Sequence, residues 1–136
     1  MKVLFLCTGN SARSILAEFL LRRLDPRFET YSAGSNPKGE VHPLARRVLR
    51  EVYGIGADGA RSKSWEELRD VDFDHVVTVC DNARQSCPVW PGRAAMSHWD
   101  LADPAAVEGT EEETLRAFEE TARLLRERLA AWSSSR

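Results

Sequence analysis

The regular alternation of short apolar runs with stretches of helical period restricts the fold of this chain more than any other feature. Lys2 to Cys7 reads as a buried strand. Arg13 to Leu24 reads as a helix with Ile15, Leu16, Phe19, Leu20 and Leu24 on its apolar face, halted by Asp25-Pro26. Phe28 to Ala33 is a second strand, ended by Gly34 and the turn-rich Ser35-Asn36-Pro37-Lys38-Gly39. His42 to Tyr53 is a second helix, with Pro43 suited to its first turn and Gly54 to its end. A short helix is expected over Ser64 to Leu68, capped by Ser64 with Glu67 at the capping-box position. Asp74 to Cys80 is a third strand and Arg93 to Trp99 a fourth. Thr110 to Trp132 is a long helix striped by Leu115, Phe118, Ala122, Leu125 and Leu129.

That order, βαβαβ(α)βα, predicts a three-layer α/β fold: a four-stranded parallel sheet with helices on both faces. Right-handed crossovers leave few topologies. The usual small arrangement has strand order 2-1-3-4, which sets the first and third strands side by side. Ligands in such sheets lie beyond the carboxyl ends of the strands, where the winding reverses. The chemistry is therefore expected at that edge. A chain of 136 residues suits one domain, over 1–132, followed by a polar tail at 133–136 that is expected to fray. No internal repeat is visible.

An apolar share of 43% supplies one core, and 29% charged residues is an ordinary surface. The formal net charge of −2 gives no general pull toward nucleic acid or an acidic membrane, so affinity for anions must be local. The apolar run Val3 to Cys7 is too short for a membrane span or signal-peptide core, which makes a cytoplasmic location the default. Three cysteines without an export signal argue against a disulfide scaffold. Small buried core residues are the plainest alternative for them.

Immediately after the first strand stands Cys7-Thr8-Gly9-Asn10-Ser11-Ala12-Arg13-Ser14, running into a helix. A short loop with Gly9 and Asn10, residues that tolerate positive φ, can turn successive backbone N–H groups inward on a tetrahedral oxyanion. The following helix adds its own free N–H groups and partial positive charge. Arg13 offers a planar fork for two ligand oxygens. The same surroundings favour a negative sulfur at Cys7, poised to attack the anion beside it, with Ser14 able to donate a hydrogen bond to it.

The segment resembles the active-site loop of the low-molecular-weight protein tyrosine phosphatases and of the thioredoxin-coupled arsenate reductases that share their fold. Met1 to Trp132 is compatible with that fold. The resemblance implies an aspartate before a proline as general acid, matched by Asp103-Pro104, with Asp100 the competing carboxylate. Phosphatases of this type usually carry tyrosines just after that proline, where this chain has Ala105 and Ala106. The resembling reductases have two cysteines after the third strand at the spacing of Cys80 and Cys87.

Geometry supports a redox role independently. Neighbouring strands lie roughly 4.8 Å apart, so the ends of the first and third strands bring Cys7 and Cys80 near disulfide range. Were 81–86 helical, Cys87 would lie about 10.5 Å further along, beyond the roughly 7 Å Cα limit for a bridge. Joining Cys80 to Cys87 would then require that segment to unwind. A zinc site lacks four ligands at suitable spacing.

The resemblance thus implies arsenate reduction by Cys7 and a Cys80–Cys87 relay, with no bound cofactor and with thioredoxin as reductant and partner. A phosphatase is the alternative, and a non-catalytic redox sensor or anion-binding module a third reading. Arsenate and phosphate oxyanions are the expected ligands of a chain expected to be monomeric. Some relatives hold a potassium ion behind the loop through residues matching Asn10, Glu18 and Ser32. Their further carboxylate falls on Ser64 here, which puts the ion in doubt.

Overall fold

A computed structural model describes residues 1–80 and 90–136. Four strands, β1 (Lys2–Cys7), β2 (Glu29–Gly34), β3 (His75–Cys80) and β4 (Ala95–Asp100), form one sheet in the order β2-β1-β3-β4. Every pairing is parallel. Among the described residues the α-helices are α1 (Arg13–Leu24), α2 (Pro43–Tyr53) and α3 (Glu111–Ser134).

The period of two along β1 decides where each layer goes. Val3, Phe5 and Cys7 enter the larger core, made with the buried faces of all three α-helices. Leu4 and Leu6 enter a smaller one with Val76, Phe73 and Trp90, against which Trp65 and Leu68 of a one-turn 3-10 helix (Trp65–Leu68) pack. Helical elements therefore cover both faces, unequally. The expected α1 face is too narrow: all nine residues Arg13 to Leu21 are buried, because the sheet, α2 and α3 surround the helix. Leu24 is only partly buried at its end.

Boundaries move by one or two residues for identifiable reasons. Phe28 precedes β2 instead of opening it, because its ring packs on Trp132 with centroids 5.3 Å apart. Likewise β4 starts at Ala95, and Thr110 caps α3 through a reciprocal box with Glu113. The box expected at Ser64 does not form. Ser64 accepts from the Glu66 N–H, while Glu67 pairs with Arg61 at 3.1 Å. The tail expected to fray begins in order: α3 continues through Ser134, since Ser133 is buried and its carbonyl accepts from Arg27 at 3.3 Å. His75, buried in β3, packs on the edge of Trp132 and meets the Ser97 hydroxyl at 2.8 Å.

Candidate active site

The loop from Cys7 to Arg13 lies at the carboxyl edge of β1, between two strands that both end there. It borders a cavity of about 230 Å³ that it lines with Asn36, Lys38, Asp103 and Ala105. Its shape follows from where its carbonyls go. Cys7 O accepts from Ser35 N at 3.2 Å, Thr8 O from Asn36 N at 2.9 Å, and Gly9 O from Lys38 N at 2.9 Å. Ser11 O accepts from His42 N at 3.0 Å. The β2–α2 connection thus ties the loop's acceptors outward, which leaves its N–H groups to face the cavity.

Asn10 provides the positive φ, +45°, that the tight turn requires. Gly9 serves a different need: a Cβ there would meet the Lys38 stem at 3.3 to 3.6 Å. Gly34, at the end of β2, is more restricted still, because a Cβ would lie 2.5 Å from Thr8 O and 3.1 Å from Asn10 N.

A directed chain of hydrogen bonds ends on the sulfur. The Lys63 N–H donates to Asn10 Oδ1 at 2.9 Å, which fixes the amide's orientation. Asn10 Nδ2 must then donate to Ser14 Oγ, 2.8 Å away. With that acceptor position taken, the Ser14 hydrogen is left for Cys7 Sγ at 3.0 Å. The Asn10 N–H adds a second donor to the sulfur at 3.2 Å. Cys7 is a free thiol, buried at 2% exposure, so these contacts are not diluted by water.

Arg13 does not swing to solvent. It is 5% exposed, donates to Leu101 O at 2.8 Å, and lies 3.9 Å from Asp103 Oδ2. Asp103 is held in turn by accepting the Ala105 N–H at 3.0 Å. Of the two candidate carboxylates, Asp103 lines the cavity and Asp100 does not. Cys80, buried, ends β3 at the same edge as Cys7. Leu6 pairs with Thr78. Continuing that register, strand spacing and rise put the Cys7 and Cys80 Cα atoms about 6 Å apart, inside the range a disulfide spans. Cys87, and the expectation for 81–86, lie outside the described residues.

Three contributors carried no legible sequence signal. Lys38 and Asn36 reach the cavity from the β2–α2 connection. His42 caps α2 by accepting the Leu44 N–H at 3.1 Å and stacks on Phe118 with centroids 4.6 Å apart. Burial, then the charge of Lys38, push its imidazole below the ordinary value, while Asp103 pulls the other way. Only its place before Pro43 could have marked it.

A strand-ending cysteine six residues before an arginine, under a helix N-terminus and beside an Asp-Pro acid, matches one family. The model of the low molecular weight phosphotyrosine protein phosphatases covers residues 2–135. The chain belongs to that family. Within it, an arsenate reductase of Shouchella clausii is 38% identical over 122 residues, covering 86% of this chain and 84% of that one. A solved arsenate reductase in the phosphate-binding state shares 28% identity, covers 98% of this chain and 97% of its own, and superposes with a TM-score of 0.81. A thioredoxin-dependent arsenate reductase of Corynebacterium glutamicum shares 30% identity and a TM-score of 0.61, over 94% of this chain and 61% of its own.

The potassium site of some family members does not fit the residues present. Glu18 accepts from Ser32 Oγ at 2.6 Å with one oxygen and pairs with Arg22 at 2.8 Å with the other. Asn10 Oδ1 is taken by the Lys63 N–H, and Ser64 Oγ by that of Glu66. Of the oxygens that would ligate an ion, those of Glu18, Asn10 and Ser64 already accept from donors of the chain itself, Arg22 among them. Among the described residues no group of three or more histidine, cysteine or acidic side chains is placed to hold a metal. Nor is any helix among them long and apolar enough to cross a membrane.

Proposed function

We propose that this member of the family reduces arsenate to arsenite, with Cys7 as nucleophile, Cys80 and Cys87 as the disulfide relay, and thioredoxin as the reductant. The observation that carries this reading is the position of Cys80: it ends the strand beside that of Cys7, where a plain phosphatase needs no second thiol. Ala105 supports it, since the wall after Pro104 offers a methyl group where an aryl ester would need an aromatic side chain.

Arsenate binds with its oxygens on the loop N–H groups between Thr8 and Arg13, other than that of Asn10, and on the Arg13 guanidinium. The Cys7 thiolate attacks arsenic as Asp103 protonates the departing oxygen, which leaves as water. The Cys80 thiolate then attacks the Cys7 sulfur, so that an S–S bond forms and the As–S bond breaks. Its electron pair stays on arsenic, which leaves as arsenite. Attack of Cys87 on Cys80 frees Cys7 and forms the Cys80–Cys87 disulfide. The thioredoxin dithiol reduces that bridge and is itself oxidised. A phosphate ester would follow only the first displacement, with water completing hydrolysis.

The test is arsenate-dependent NADPH oxidation with thioredoxin and its reductase, run on the wild type and on Cys80→Ser and Cys87→Ser. Both variants are expected to stop multiple turnover while retaining phosphoester hydrolysis. Sustained arsenite production by either variant would refute the relay. Failure of the wild type to make arsenite would leave the phosphatase reading, which the family membership supports.

A further inference from the structure

We propose that Lys38 is the specificity-determining cation of the cavity, selecting free, unsubstituted oxyanions over their esters. The choice of arsenate as substrate rests on the reductase reading; the binding of a dianion does not. Charge inside the cavity motivates the inference. A dianion beside an ionised Cys7 brings three negative charges together, whereas Arg13, the cation at the loop's end, is shared with Asp103 at 3.9 Å. A second cation would restore the balance, and among the described residues Lys38 is the cation besides Arg13 that lines the cavity.

Its placement is built rather than accidental. The Lys38 N–H is pinned to Gly9 O at 2.9 Å, and the Ser62 hydroxyl reaches the same carbonyl at 3.2 Å. From that anchor the aliphatic stem lies along Gly9, which has no Cβ to obstruct it. The stem therefore runs on the apolar edge of the loop while the head stays polar, as long cationic side chains do. Among the described residues no acceptor or acidic group partners the ammonium, unlike Arg13, Arg22, Arg47 and Arg61. Its charge is felt at His42.

With its base on Arg13 and the loop amides, a tetrahedral anion presents its last oxygen toward the mouth. In arsenate or phosphate that oxygen is available to the ammonium; in a monoester it carries carbon, and the substituent occupies the ammonium's line of approach. Lys38 thus favours the free oxyanion where Ala105 merely fails to favour an aryl group.

The experiment compares Lys38→Met and Lys38→Arg in the full-length protein. Inorganic phosphate is titrated by calorimetry, and arsenate reduction and phenyl phosphate hydrolysis are followed at steady state. Lys38→Met is expected to weaken phosphate and raise the arsenate KM about tenfold, the strength of one partly hydrated charge contact, with kcat within twofold. The phenyl phosphate KM should move less than threefold, and Lys38→Arg should restore phosphate affinity to within threefold. The phosphate difference should shrink as salt rises. Phosphate affinity unchanged in Lys38→Met, or equally poor in Lys38→Arg, would overturn the proposal. Because the phosphate arm needs no reduction, it reads Lys38 even if no arsenite forms, and only the latter result counts against the reductase reading.

Discussion

Replacing Asn10 by aspartate changes one NH₂ to an oxygen and little else, so it isolates the direction of the hydrogen bonds behind Cys7. Asp tolerates the φ of +45° nearly as well as Asn, and its remaining oxygen still accepts from Lys63. The new oxygen, however, can only accept from Ser14, whose single hydrogen must turn away from the sulfur. The thiolate then loses a hydrogen bond to a charged group, about 1.5–3 kcal/mol, or roughly 10- to 150-fold in rate. The contacts of 2.8 and 3.0 Å along Asn10–Ser14–Cys7 also place the new carboxylate within about 6 Å of the sulfur. At an effective dielectric of about 20, that repulsion adds up to about 3 kcal/mol. Asn10→Asp should therefore lose about 10²- to 10⁴-fold in kcat/KM, and Ser14→Ala only the smaller share. The assay is alkylation of Cys7 by iodoacetamide at pH 7, localised by peptide mass spectrometry, alongside arsenate kinetics. Asn10→Asp within threefold of wild type, or a larger defect in Ser14→Ala, would refute the assigned direction.

Gly34→Ala should disturb the loop from behind, because the added methyl meets backbone atoms of Thr8 and Asn10 that no rotamer change relieves. A loss of about 1–3 kcal/mol in urea denaturation and a matching fall in phosphate affinity are expected; an unchanged midpoint with full affinity would contradict the close approach. Burial, and after it the charge of Arg136, lower the His75 imidazole below its ordinary value. The native ring then stays neutral where the unfolded one is protonated, so its stabilisation is complete above about pH 6.5 and is lost as pH falls from there through the lower native value. Urea midpoints between pH 7.5 and 5 should fall less steeply in His75→Gln, by at most about 1.4 kcal/mol per pH unit; identical slopes would remove His75 from the acid limb.

The alternation of strand and helix periods was enough for the sheet order, because parallel strands joined by right-handed crossovers leave few arrangements. Cys7, Arg13 and Ser14 were legible for a similar reason: one strand end, one tight turn and one helix start hold them, all within eight consecutive residues. The place of Cys80 followed from topology alone, since β1 and β3 must then end side by side. The resemblance to the reductases pointed to Cys87, which lies outside the described residues.

Much of what orients these groups comes from residues distant in the chain. Lys63 fixes the Asn10 amide across 53 positions, and Leu101 anchors Arg13 across 88. Arg22 and Ser32 engage Glu18 before any ion can. Ser35, Asn36, Lys38 and His42 hold the loop's carbonyls with backbone N–H groups that every non-proline residue carries. Such contacts leave no periodicity or composition to read, because a backbone donor looks the same at every position until the fold decides which carbonyl it meets. The sequence by itself determined which residues are candidates for the chemistry; the tertiary structure decided which way their hydrogens and charges point.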